Sequence, residues 1–283
     1  MQIAPLDNSV FFKKAFTDMI VFKAFVKDIL GIEVNPKVIE TEKSFQPKLG
    51  NIDFKYDIFA EDVEKRVIIE IQKVEYDHNF DRFLHYHLQA IIEQQRTSDD
   101  YTVGKTVYTI VMITAPYRLN KKTGEVFKDE VLISKLNPRN LHGIEREVFN
   151  HELVFLNPNY KDAETPQHYR DWLELVYESI HNAENAEINL QNEGVKRAAD
   201  LVSYEKISPQ EWEQSKIEAG KLKVLEIKYE EGFSEGHRDG IEQGIEQATI
   251  EIVQNAISQG FDNETISKLT GLKIEEIENL RKR

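Results

Sequence analysis

The chain has 283 residues, no cysteine, and a net charge of −14 from 36 Lys and Arg against 50 Asp and Glu. The missing thiols exclude disulfides and thiolate metal sites. The acidic balance argues against strong nonspecific nucleic-acid binding by the whole molecule, though a local basic patch is compatible with it. With 40% apolar residues the chain can bury a proper core, yet no apolar run is long enough to span a bilayer. The opening Met1-Gln-Ile-Ala-Pro-Leu-Asp7 lacks the pattern of a signal peptide, so the expectation is a cytoplasmic protein.

In chain order, Asp7-Asn8-Ser9 supplies N-cap types, and Phe11, Phe12, Ala15, Phe16, Met19, Phe22, Phe25, Val26 and Ile29 recur at helical spacing up to Gly31. This predicts one amphipathic helix or two, with Lys13, Lys14, Lys23 and Lys27 available for the other face. Val34 to Phe45 reads as extended or irregular. Ile52, Phe54, Tyr56 and Ile58 alternate as in a strand, Ala60 to Lys65 suits a turn, and Arg66 to Val74 is β-branched like a buried strand. Such a hairpin brings Asp57 near Glu70, and Gln72, two residues on, shares the face of Glu70. Carboxylates in an apolar hairpin are costly unless paired or bound to a cation, so the pair is read as a candidate cation site. Asp53 alternates in register with Asp57 and competes for that role.

Phe80, Phe83, Leu84, His87, Leu88, Ile91 and Ile92 predict a helix, with Arg82, Tyr86, Gln89 and Glu93 as a second stripe. Thr106 to Ala115 reads as a central strand, Gly124 to Ser134 and Arg146 to Leu156 as two more, and Thr165-Pro166 as the opening of a helix with Pro at its first position. The order of elements predicts an α/β architecture of mixed sheet and flanking helices. From about residue 183 the chain turns polar and Glu-rich. Gly232, Gly236, Gly240 and Gly244 recur at steps of four, which predicts either close approach of another helix or a supple segment. Residues 250–283 read as two short helices with a turn at Gly260 to Glu264, a small helix-turn-helix-like unit. The expected domains are 1–182, a helical Glu/Gly linker over 183–249, and the tail at 250–283.

Asp57 followed by Glu70-Ile71-Gln72, and then by a helix bearing Arg82 and Tyr86, resembles the PD-(D/E)XK nuclease superfamily. It most resembles the PD-(D/E)XK nuclease family transposases, which include recombination-promoting nucleases. The strings Asp57-Ile-Phe-Ala-Glu-Asp62 and Phe80-Asp-Arg-Phe-Leu-His-Tyr86 carry the likeness, together with the opening Asp7-Asn-Ser-Val-Phe-Phe-Lys13. So do the Glu-Gly repeats and the Leu269-Thr-Gly-Leu272 tail. The resemblance implies a restriction-endonuclease-like core with an α-helical C-terminal extension. It also implies a DNA endonuclease using one or two Mg²⁺ ions, with Mn²⁺ able to substitute, in recombination or on mobile DNA.

By position, Asp57, Glu70 and the backbone carbonyl of Ile71 would hold the metal. Gln72 stands where the superfamily usually has Lys, Asp7 is the candidate acid from the first helix, and Arg82 and Tyr86 would meet substrate. An amide orients water but brings no charge, which leaves open an inactive DNA-binding or scaffold protein that self-associates through its C-terminal helices. Asp7 has the competing role of N-cap. Arg82 has two: clamping a phosphate or holding Glu70.

Overall fold

The computed structural model describes residues 1–45, 54–73, 79–95, 102–117 and 124–281. Asn51 to Asp53, the rival ligand Asp53 among them, lie outside that set.

The first helical stretch is two helices, α1 (Ser9–Phe16) and α2 (Met19–Leu30). Asn8, not Asp7, caps α1 by accepting from the N–H of Val10. Thr17 ends α1, and the Asp18 side chain accepts from the N–H groups of Ile20 and Val21 to start α2. A second N-cap in mid-stretch therefore breaks what apolar spacing alone leaves continuous. Gly31, at φ +67°, closes α2 in the left-handed conformation that favours glycine.

Among the described residues one six-stranded sheet runs in the order β1-β2-β3-β4-β6-β5. β1 (Ile39–Phe45), β2 (Phe54–Glu61) and β3 (Lys65–Gln72) form an antiparallel meander. β3 then pairs in parallel with β4 (Thr106–Ile113) after α3 (Asn79–Ile92), and β4 in parallel with β6 (Glu152–Leu156). β5 (Val131–Lys135) is antiparallel at the edge. The strands expected over Gly124 to Ser134 and Arg146 to Leu156 are thus shorter. Between them Asn137 Oδ1 accepts from the N–H groups of Val148, Phe149 and Asn150, so a side chain takes donors that a longer ladder would use.

One face of the sheet carries the main core. There Ile58, Ala60, Val67, Ile69, Ile110 and Met112 meet Phe12, Phe16, Phe22 and Phe25 from α1 and α2. The same core takes in α4 (Gln167–His181) and α5 (Glu193–Leu201). Pro166 is the N-cap of α4 and not its first helical residue, because its ψ of 139° is extended. The other face is covered by α3, over Tyr56, Phe59, Ile68 and Val107 at one end and Val111 and Phe155 at the other. The result is the mixed sheet with flanking helices that the order of elements predicts.

The division of the chain falls elsewhere than expected. The first compact unit is Met1–Glu218 and the second Ala219–Arg283. Residues 183–218 belong to the first because α5 buries Val195, Ala198 and Ala199, and Val202 follows them into the core. Gly194 admits this approach, since a Cβ there would stand 2.5 Å from that of Ala24 and 3.0 Å from the ring of Trp172. The polar surface of α5 hides this packing from a composition reading.

α6 runs unbroken over Pro209–Ser258, so the first of the two expected tail helices is its end. Gly232, Gly236, Gly240 and Gly244 sit within it, and a Cβ on any of them would meet nothing within 4 Å. In the second unit α7 (Asn263–Thr270) and α8 (Ile274–Arg281) follow, and Val253, Ile266 and Ile277 make a small core. No helix among the described residues is long and apolar enough to cross a membrane.

Candidate active site

β2 and β3 are joined by backbone pairs only towards their turn, from Ile58 with Ile69 to Glu61 with Arg66. Asp57 and Glu70 occupy the next position in register, where the ladder stops. Side chains take over from the backbone there. The N–H of Asp57 donates to Glu70 Oε1 at 3.1 Å, and the N–H of Ile71 donates to Asp57 Oδ2 at 3.1 Å. N–H groups beyond the last pair of the β2–β3 ladder need acceptors, and the two carboxylates supply them.

Asp57 also marks a change of face within β2. Ile58 and Ala60 enter the core beneath α1 and α2, whereas Tyr56 packs with Ile68 under α3. In an unbroken strand residues two apart share a face. Glu42 on β1 stands opposite the break, between the pairs Thr41 with Ile58 and Lys43 with Tyr56, and has φ +57°. For a residue other than glycine this conformation costs about 1–3 kcal/mol and is typical of functional sites.

Glu70 is 1% exposed and Gln72 5%. Burial, and next the neighbouring Asp57 carboxylate, hold Glu70 well above the ordinary carboxylate range, with the Asp57 N–H, Arg82 and Lys13 acting the other way. A cation shared by the two carboxylates would oppose both leading causes. The Ile71 carbonyl leaves its strand on the same side as the N–H that Asp57 accepts, while the Gln72 carbonyl faces β4 and accepts from the Thr114 N–H at 2.9 Å. Two carboxylates and a carbonyl are hard oxygen donors of the kind Mg²⁺ and Mn²⁺ take, so the residues present fit such an ion. Among the described residues no three acidic or histidine side chains converge as a ligand set.

Asp7 is accordingly not brought into a common ligand set with Asp57 and Glu70. Its Oδ2 lies 2.6 Å from Lys73 Nζ, which ties the start of α1 to the residue after Gln72. Arg82 holds Gln72, donating from Nη1 to Oε1 at 2.8 Å, and contacts the Tyr86 hydroxyl at 3.4 Å. Its guanidinium lies 5.2 Å from the centres of both the Phe83 and Tyr86 rings. Of the two sequence-based roles for Arg82, the hydrogen bond goes to Gln72 and not to Glu70, on which Arg82 acts only through its charge.

Two residues in this group were not singled out as site residues from the sequence. Lys13 Nζ lies 3.3 Å from Asp57 Oδ1, and Lys13 also pairs with Glu42. Burial works against the Lys13 charge, but the Asp57 and Glu42 carboxylates outweigh it and raise the lysine above its ordinary value. Lys13 lies in the opening Asp7-to-Lys13 string, which was a usable signal. Glu42 lies in a stretch that reads only as extended or irregular, and nothing local marks it.

A mixed sheet in which an antiparallel meander joins a parallel βαβ unit, roofed by helices on both faces and with the half-buried Asp57 and the buried Glu70 at the seam, is a restriction-endonuclease-like fold. The model of the PD-(D/E)XK nuclease family transposases matches residues 20–224, and the chain belongs to that family. No curated protein and no solved structure gave a match. The matched span contains Asp57, Glu70, Gln72, Arg82 and Tyr86 and begins after Asp7 and Lys13.

Proposed function

We propose that the protein is a Mg²⁺-dependent DNA endonuclease acting in recombination or on mobile DNA. The reading is supported above all by the reciprocal Asp57–Glu70 arrangement, in which two carboxylates, one of them fully buried, meet where the sheet opens. Asp57, Glu70 and the Ile71 carbonyl would hold the ion, for which Mn²⁺ would substitute. When bound, it supplies Lewis acidity toward the scissile phosphate and lowers the pKa of a coordinated water. The protein's own part is positional. The backbone N–H bonds fix both carboxylates, and Arg82 fixes the Gln72 amide, which orients water without adding charge. Arg82 and Tyr86, beside Gln72 on α3, are suited to meet the DNA backbone.

Incubating purified protein with plasmid DNA and Mg²⁺ tests this. Nicking or linearisation is expected for the wild type and its loss for Asp57→Ala and Glu70→Ala, with Mn²⁺ binding by calorimetry lost in the same variants. Cutting that survives in both variants removes the site assignment. The presence of Gln72 at the usual lysine position favours one second reading, a DNA-binding scaffold without catalysis. DNA retention with neither metal binding nor metal-dependent cutting is its signature. Self-association through the C-terminal helices is part of the proposal, and a monomer by light scattering of the full chain counts against it.

A further inference from the structure

We propose that Lys13 supplies, from α1, the positive charge that Gln72 does not bring to the active site, and that Glu42 positions it for contact with the scissile phosphate. The inference rests on the nuclease reading above. Three observations carry it.

The Lys13 ammonium lies 3.3 Å from Asp57 Oδ1, the oxygen of that carboxylate not engaged by the Ile71 N–H. Gln72, by contrast, is neutral, and its side-chain oxygen accepts from Arg82. The charge within reach of Asp57 thus comes from a helix on the opposite side of the sheet from α3. The Lys13 side chain is 18% exposed, buried enough to be held and open enough for a phosphate oxygen to approach.

α1 holds the lysine in place. Asn8 caps the helix, and Phe11, Phe12, Ala15 and Phe16 are all buried, so the backbone of residue 13 is anchored on both sides.

Glu42 then fixes the far end of the side chain. It pairs with Lys13 and, through Oε2, with Lys55 Nζ at 2.6 Å. Its left-handed backbone lies in mid-strand, opposite Asp57. A strand residue strained at the point facing the acid pair, with its carboxylate on a lysine that reaches Asp57, is the pattern of a positioning residue.

A phosphate oxygen hydrogen-bonded to the Lys13 ammonium would have its developing charge stabilised in a partly desolvated site, where such contacts are strongest. Lys13 neither gains nor loses a proton in this role.

The test uses the full chain with Lys13→Gln, Lys13→Arg, Glu42→Gln and the double variant Lys13→Gln/Gln72→Lys. Single-turnover cleavage of plasmid DNA with Mg²⁺ is read beside melting temperature and Mn²⁺ affinity by calorimetry. Lys13→Gln is expected to slow cleavage about 100-fold or more, the usual cost of one lost transition-state donor. Its melting temperature should hold, and Mn²⁺ should bind as tightly or more so, because a positive neighbour of Asp57 is gone. Lys13→Arg, or the double variant that returns a lysine to position 72, should recover at least tenfold of the loss, and Glu42→Gln should show a smaller loss of cleavage. Cleavage by Lys13→Gln within threefold of wild type overturns the inference. So does a loss accompanied by collapse of Mn²⁺ binding or of the melting temperature, and so does failure of both rescues. A wild type that never cuts DNA removes the nuclease reading itself, which is a separate outcome.

Discussion

Asp57 and Glu70 each accept an N–H from the other's strand, both at 3.1 Å, at the register position where the β2–β3 ladder stops. The two acids therefore do structural and chemical duty together, and the two duties separate on substitution. Glu70→Gln keeps an acceptor for the Asp57 N–H while removing a buried charge. Because the fold holds the Glu70 proton above the ordinary range, the folded state binds more proton than the unfolded chain between the ordinary value and the raised one. Stability contributed by Glu70 is thus full at low pH and is lost as pH rises through that window. In chelator at pH 8, Glu70→Gln should melt about 2–4 °C higher than wild type, the shift of roughly 1 kcal/mol in a domain of this size. Saturating Mg²⁺ should raise the wild type and leave the variant unmoved. A lower melting temperature for the variant in chelator contradicts this account of the site.

His87 titrates with the opposite sign. It is fully buried, with Nδ1 2.9 Å from the Thr109 hydroxyl, and burial, with the nearby His151 second, pushes its pKa down to about 4. Between that value and the ordinary one for histidine the unfolded chain binds the extra proton, so stability is full above the ordinary value and is lost as pH falls. Over the whole window this amounts to about 3 kcal/mol. Urea titrations at pH 7.5 and pH 5 should show a larger loss for wild type than for His87→Leu. Equal losses would mean that His87 is not buried neutral.

Arg82→Ala removes the donor that holds Gln72 Oε1 at 2.8 Å and a cation lying over the Phe83 and Tyr86 rings. Arg82→Lys keeps the charge but not the fork. We expect cleavage to fall about 10-fold or more in both, with the smaller loss in Arg82→Lys. Cleavage rates at several DNA concentrations check this, and a wild-type rate for Arg82→Ala would place Arg82 outside the working site.

Gly194→Ala puts a methyl 2.5 Å from the Ala24 Cβ of α2 and 3.0 Å from the ring of Trp172. Overpacking of this kind costs about 1–3 kcal/mol. Denaturant titration should show that loss, and an unchanged midpoint would mean that α5 shifts without cost.

The acid pair was legible because a carboxylate in an apolar strand has few bland explanations, and Glu70 and Gln72 are buried together as their spacing requires. The three elements β3, α3 and β4 were likewise written in local patterns of β-branched and helical spacing, whereas the parallel pairing of β3 with β4 was not. Lys13 was marked only by its place in the opening string and Glu42 by nothing, because the partners of both come from remote elements. The membership of α5 in the first unit was hidden by its polar exterior. The left-handed turn at Glu42 has no local signal, since glycine is absent where the conformation occurs.

The roof over α1 comes from far along the chain. Asn8 Nδ2 donates to the Ser215 carbonyl, Lys14 pairs with Glu211, and the Ser9 hydroxyl donates to Glu218 at 2.6 Å, across 209 positions of sequence. Contacts of such sequence separation form late, after most of the chain exists. During synthesis, then, the meander bearing Asp57 and Glu70 emerges long before the segment that seats the helix next to it. A ribosome-bound fragment that ends before residue 211 carries both acids without the segment that holds the start of α1, and the pocket reaches its working shape only after residues 211–218 have been made.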